Sequence, residues 1–157
     1  RSTEHTCVIH IAGERFMDAV KLPVTMHHGN GTLAYSRIAY SHDMVTLYSA
    51  ADVVVCRAGA STIAEVSTVG VCAVVVPWKD AAENHQLVNA QWLTNRGGAV
   101  LLEENALTAH EFSQLVTELL RDDDRRSAIA SRARELGAVH RQSSIASVIE
   151  GAAKAKV

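Results

Sequence analysis

Between Arg57 and Glu65 the chain reads RAGASTIAE, a stretch whose residue types suit an anionic, hydroxyl-bearing ligand. Gly59 and Ala60 let a ligand approach the backbone closely. A helix beginning near Ser61 offers free N–H groups and a positive dipole end to phosphate. Thr62 adds a hydroxyl donor. Glu65 lies three residues further on, on the same helix face and one turn deeper. A carboxylate there has the wrong charge for phosphate, yet it can accept hydrogen bonds from a vicinal diol. Phosphate at the helix start and a ribose diol one turn away together describe the nucleoside diphosphate end of a nucleotide. The same spacing also fits a capping box, in which Thr62 caps the helix and Glu65 bonds back to the Thr62 N–H. On spacing alone that local arrangement is the commoner one.

A second group, His85, Gln86 and Asn89, opens a later helix. Residues three and four apart share a helix face, so all three can turn to one ligand. Amide side chains both donate and accept, as sugar hydroxyls require. Ordinary helix-start capping explains the same residues without a ligand.

Both groups need strands to carry them. DVVVC (52–56) and CAVVVPW (72–78) are continuous apolar runs of the kind buried on both faces of a parallel sheet, and AVLLEE supplies a third strand. STIAEVSTV follows the first run as a helix that Gly70 ends, and NHQLVNAQWLTNR (84–96) follows the second, closed by Gly97-Gly98. Further upstream, CVIHI (7–11) reads as a buried strand, GERFMDAV as a short helix or turn before Pro23, and VTMHHGNG as a strand ending in a turn at Asn30-Gly31. A strand around SRIAY (36–40) and a helix HDMVTLYSA (42–50) complete that half. Downstream the chain is helical. A Thr108-x-x-Glu111 capping box opens one helix to about Leu120, DDDRRSAIASRAREL is another, and a last one runs from Ser144 to about Ala155. Alternation of strand and helix predicts an α/β, Rossmann-like doubly wound parallel sheet with C-terminal helices, its ligand at the carboxyl ends of the strands.

Composition agrees with one domain. The 157 residues are 48% hydrophobic and 20% charged, with a formal charge of −2. This excludes a disordered chain and a polyanion-binding surface, so no nucleic-acid partner is expected. A chain of this size buries roughly 70% of its unfolded surface. Cys7, Cys56 and Cys72 sit in apolar runs without C-x-x-C spacing and read as buried thiols in a reducing compartment. There is no signal-peptide pattern at the start and no apolar run near the roughly 18 residues a membrane span needs, which predicts a soluble, cytoplasmic chain.

Together, Arg57 to Glu65, Gly70, Pro77 and the run from Asn84 to Ala90 resemble the carboxy-terminal domain of the MurG family of glycosyltransferases. Its R-x-G-A-x-T-x-x-E and H-Q-x-x-N-A motifs stand here in order, and Tyr40-Ser41-His42-Asp43-Met44 is similar to the family's segment beside uracil. The resemblance runs from about Cys7 to the C-terminal helices. It implies one half of a GT-B enzyme that transfers N-acetylglucosamine from UDP-GlcNAc to lipid I, forming lipid II in peptidoglycan synthesis. Residues 1–157 are then the carboxy-terminal UDP-GlcNAc-binding domain, incomplete at its start. The amino-terminal acceptor domain, which carries the lipid I site, the membrane-facing surface and the catalytic base, is expected outside this sequence. No catalytic residue is therefore expected in this chain, which alone would be inactive. In the intact enzyme it would lie on the inner face of the bacterial plasma membrane.

The resemblance also implies roles. Glu65 takes the ribose hydroxyls, Thr62 beside Gly59 the diphosphate, and the Ala60 amide with Asn89 the sugar's 4-hydroxyl. Gln86 takes the 3-hydroxyl with His85 nearby, and the Ser41 backbone reads the uracil edge between Tyr40 and Met44. Asn84 and Ser61 depart from the family's usual aspartate and aliphatic residue. Two rivals remain: a single-domain catalytic subunit of a dolichol-linked GlcNAc transferase, and a non-catalytic nucleotide-binding module. No metal or other cofactor is expected. Asp122-Asp123-Asp124 read as helix-start acids, His27-His28 lack partners at zinc spacing, and Arg125, Arg126, Arg132 and Arg134 read as a solvated helix face.

Overall fold

The computed structural model describes residues 5–17, 25–28, 31–106, 108–142 and 144–154. Its organising layer is a three-stranded parallel sheet of β4 (Val54–Cys56), β5 (Ala73–Val75) and β6 (Val100–Leu101), in that order. Helix α2 (Ala60–Val69) connects β4 to β5, and α3 (His85–Thr94) connects β5 to β6. Because side chains alternate along a strand, β5 supplies two cores. Ala73 and Val75 join Ile63 and Val66 of α2 and Ala90 and Leu93 of α3. Val74 and Val76 turn the other way and meet Leu119 of α4 (Ala109–Arg121), with Ile129 of α5 (Asp123–Leu136) beside them. With helices on both faces, Val74 and Val75 are 0% exposed. β4, an edge strand with one paired neighbour, is less buried than its β-branched run predicts, and Val55 is 45% exposed.

The upstream strands form a second three-stranded sheet of order β1-β3-β2. β1 (His5–Ile11) runs parallel to β3 (Gly31–Ile38), and β2 (Thr25–His28) pairs with β3 in the antiparallel sense. Only two residues separate β2 from β3 along the chain, so the pairing is antiparallel, since a parallel partner needs a crossover of a dozen residues or more. Residues 29 and 30, where the sequence predicts a turn, and 18–24, after the 3-10 turn at Glu14–Phe16, lie outside the described residues. Here the expectation of a buried strand is corrected. Ile9 is 51% exposed, and Cys7 is exposed, whereas Cys72 is buried. Apolar content makes β1 a strand, but no helix among the described residues packs over this sheet as α2, α3 and α4 pack over β5.

The helical end follows its capping signals. Thr108 accepts the Glu111 N–H while the Glu111 carboxylate accepts the Thr108 N–H, completing the predicted box. Asp122 caps α5 by accepting the Arg125 N–H at 2.9 Å. Arg126 corrects the reading of a solvated arginine face. It is 8% exposed and donates to the carbonyls of Leu119 and Leu120 and to Asp123. The last carbonyls of α4 lack intrahelical donors, and a cation there also suits the helix dipole. A four-residue helix, α6 (Ala138–Arg141), precedes α7 (Ser144–Lys154).

Candidate functional site

The carboxyl ends of β4, β5 and β6 open into the two loops singled out from sequence. Helix α2 begins one residue earlier than expected, with Gly59 as its N-cap in extended backbone and no side-chain cap. The first intrahelical bond is Ile63 N–H to Gly59 O at 3.0 Å, so the N–H groups of Ala60, Ser61 and Thr62 lie at the helix mouth without intrahelical acceptors. Thr62 is inside the first turn, so it cannot cap the helix. Glu65 does not bond back to it. Its Oε2 instead accepts the phenol O–H of Tyr48, on α1 (Met44–Ala50), at 3.2 Å. The capping-box explanation of Thr62 and Glu65 is therefore displaced, and Glu65 stands exposed on the helix surface.

Helix α3 begins beside the same loop. Asn84, its N-cap, has φ 53°, in the left-handed region. Asparagine tolerates that region better than most side chains, which suits it to the turn it makes. At the start of that helix, Gln86 and Asn89 close on one residue, Ala58, from its two sides. Gln86 Oε1 accepts the Ala58 N–H at 3.2 Å and the Trp78 N–H at 3.0 Å, and Asn89 Nδ2 donates to Ala58 O at 3.0 Å. Ala58 itself is wholly buried. The two amides thus fix the backbone that leads into α2, and each keeps one functional end: the Gln86 NH₂ group to donate and Asn89 Oδ1 to accept. His85 is exposed at the first position of α3.

A further clasp joins all three strand ends. Arg57, directly after β4, donates to the carbonyls of Val76 and Pro77 after β5, each at 3.4 Å, and to Glu104 Oε1 after β6 at 2.9 Å. Glu104 Oε2 accepts the Lys79 N–H at 3.2 Å. The Arg57 hydrogen bond, with the Lys79 amide behind it, holds the Glu104 carboxyl below its ordinary range.

The segment 40–44 is organised separately. Asp43 caps α1, accepting the Thr46 N–H at 3.0 Å and the Thr46 hydroxyl at 2.6 Å, and these bonds lower its carboxyl pKa. Ser41 Oγ accepts the Asp43 N–H at 3.2 Å, Tyr40 is exposed with its ring edge-on to His42, and Met44 packs partly into the core. Its link to the glycine loop is indirect, through Tyr48. Burial, followed by the nearby Glu65 charge, pushes the Tyr48 hydroxyl up to about 12. A cavity of about 470 Å³ lies at the other end of the strands, lined by Asp52, Gly70, Cys72 and Arg126 among others, and holds none of the residues expected to bind ligand.

This arrangement has counterparts in known proteins. Residues 1–149 match the glycosyltransferase family 28 C-terminal domain. The chain belongs to that family. Among relatives of this family 28 domain, a Burkholderia vietnamiensis protein is 37% identical over 135 residues, covering 85% of this chain and 36% of its own length. An Azoarcus protein is 38% identical over 112 residues, covering 71% of this chain and 30% of its own length. Both are named UDP-N-acetylglucosamine–N-acetylmuramyl-(pentapeptide) pyrophosphoryl-undecaprenol N-acetylglucosamine transferase. The crystal structure of Acinetobacter baumannii MurG superposes with a TM-score of 0.70 at 29% identity, covering 83% of this chain and 39% of that one. The family 28 chain thus spans about a third of the length of these relatives, and its fold is the Rossmann-like α/β half of a GT-B enzyme.

Two residues that touch the candidate site, Tyr48 and Glu104, carry no role in the sequence reading. Tyr48 falls inside the predicted helix 42–50 with nothing local to mark it. Glu104 is 47 residues from Arg57, beyond any local pattern. Arg57 opens the motif and was given no role.

Proposed function

We propose that this chain is the donor-binding half of an inverting glycosyltransferase that moves N-acetylglucosamine from UDP-GlcNAc to lipid I, forming lipid II. One observation carries the reading: Glu65 stands exposed one turn behind the uncapped start of α2, while Gln86 and Asn89 converge on the loop leading into it. In this reading the N–H groups of α2 with Thr62 hold the diphosphate beside Gly59, Glu65 accepts the ribose hydroxyls, and Ser41, Tyr40 and Met44 meet the uracil. Gln86, its oxygen engaged, donates from its NH₂ group to the sugar's 3-hydroxyl. Asn89 Oδ1 and the Ala60 amide take the 4-hydroxyl, with His85 close by.

The chemistry follows from these placements. The acceptor oxygen attacks the anomeric carbon, the bond from that carbon to the β-phosphate oxygen breaks, and the electron pair leaves with UDP. The acceptor's proton passes to a base on the partner domain. Negative charge grows on the diphosphate as that bond breaks, and the N-terminus of α2 stabilises it there. Lipid I and the membrane surface are met by the other domain, in the cytoplasm at the inner face of the plasma membrane. No helix among the described residues is long and apolar enough to cross a membrane.

Calorimetric titration of the chain with UDP-GlcNAc, UDP-glucose and ADP-glucose tests the reading. Both uridine nucleotides are expected to bind more tightly than ADP-glucose, with UDP-GlcNAc the tightest. Equal binding of the three, or none, overturns it.

A further inference from the structure

Glu65 has a partner that no motif in the sequence indicates. Tyr48 is 7% exposed and its ring belongs to the apolar cluster containing Ile63, Val66 and Val75. Packed there, with only two side-chain torsions, its hydroxyl has little freedom. That hydroxyl donates to Glu65 Oε2 at 3.2 Å. Glu65, by contrast, is an exposed side chain with three rotatable bonds, and such a side chain loses rotamer freedom when a ligand fixes it.

We propose that Tyr48 is a positioning residue for the nucleotide's ribose: by holding Oε2 of Glu65 it pre-sets the carboxylate rotamer and leaves Oε1 for the diol. The proposal rests on the reading of Glu65 as the ribose acceptor. The chain supplies the geometry economically. Tyr48 lies four residues after Met44 on α1, so the helix whose start adjoins the proposed uracil segment also reaches Glu65 one turn later. One helix, α1, thereby adjoins the base contact and, through Tyr48, holds the ribose contact on α2. Burial keeps the phenol protonated, with its pKa at about 12, so it remains a donor throughout the neutral range.

The test is a double-mutant cycle, Tyr48→Phe and Glu65→Ala, in the full chain, titrated with UDP and with 2′-deoxy-UDP and accompanied by thermal melts. Phenylalanine keeps the ring and removes only the donor. Tyr48→Phe is expected to weaken UDP binding about 2- to 12-fold, the effect of one unordered side chain. It should reduce the preference for UDP over 2′-deoxy-UDP by a similar factor. In the Glu65→Ala background the same change should alter UDP affinity by less than about 2-fold, because the interaction it acts through is gone. A purely structural bond between α1 and α2 would lower the melting temperature and leave the ribose preference intact, which overturns the proposal. If Glu65→Ala abolishes the preference while Tyr48→Phe leaves it unchanged, the positioning role fails and the functional reading stands. If Glu65→Ala itself leaves the preference unchanged, the reading of Glu65 fails and the proposal falls with it.

Discussion

The two sheets of this molecule are built from similar apolar sequence and reach different ends. CVIHI in β1 and CAVVV at β5 are comparable runs, yet Ile9 is 51% exposed while Val74 and Val75 are wholly buried. What separates them is the cover. β5 has a paired strand on each side, α2 and α3 on one face and α4 on the other, whereas β2 folds back on β3 as an antiparallel neighbour. Burial belongs to the crossover helices and not to the strand alone. The loop into α2 and the two amides that close on it sit at the strand ends of the covered sheet, whereas the segment 40–44 follows β3 of the open one.

Three experiments break or sharpen this contrast. The largest effect is expected from Leu93→Ala, which opens a cavity in the core between α3 and β5 and should cost about 2–5 kcal/mol by denaturant unfolding. Ile9→Ala on the open sheet should cost under about 1 kcal/mol, since half its surface is already in water. Equal losses at the two positions would mean that β1 is covered as β5 is. Next comes Glu65→Ala in an enzyme with both domains. Two charge-assisted hydrogen bonds to the ribose predict a loss of about 2–4 kcal/mol, or roughly 30- to 1,000-fold in kcat/KM for UDP-GlcNAc. Intact kinetics with a lowered melting temperature would reduce Glu65 to a stitch between α1 and α2.

The smallest effect concerns pH. Glu104, Glu111 and Asp43 have carboxyl pKa values lowered in the folded state, by the Arg57, Thr108 and Thr46 hydrogen bonds respectively. A lowered folded pKa means that the unfolded chain binds protons first. The stability from these groups is complete above their unfolded pKa, about 4, and is lost as the pH falls through the folded values. Melting temperatures should therefore fall on acidification below about pH 5. Glu104→Gln should flatten that limb slightly. An acid limb unchanged in this variant would show that the Arg57–Glu104 clasp adds no stability of its own.

Much of the covered half was legible before any coordinates. β-branched runs, glycine stops and the Thr108–Glu111 box are local signals, and the helices α2 to α5 begin and end within a few residues of where those signals put them. The family motifs were legible because backbone approach and helix-start chemistry demand particular residues at fixed spacing. On spacing alone the local capping box at Thr62 was the commoner arrangement. Only the helix start at Ala60 and the hydroxyl of Tyr48 removed that box.

The sequence by itself determined which segments become strands and helices and which helix starts carry the amides, the carboxylate and the glycine, because torsional preference and hydrophobic period act over a few residues. The tertiary structure decided which apolar strand is covered, that Gln86 and Asn89 close on Ala58, that Arg57 reaches Glu104, and that Arg126 is buried under α4. Those outcomes depend on groups brought together from distant parts of the chain, and a hydrogen bond forms only where packing sets its two ends within about 3 Å of each other.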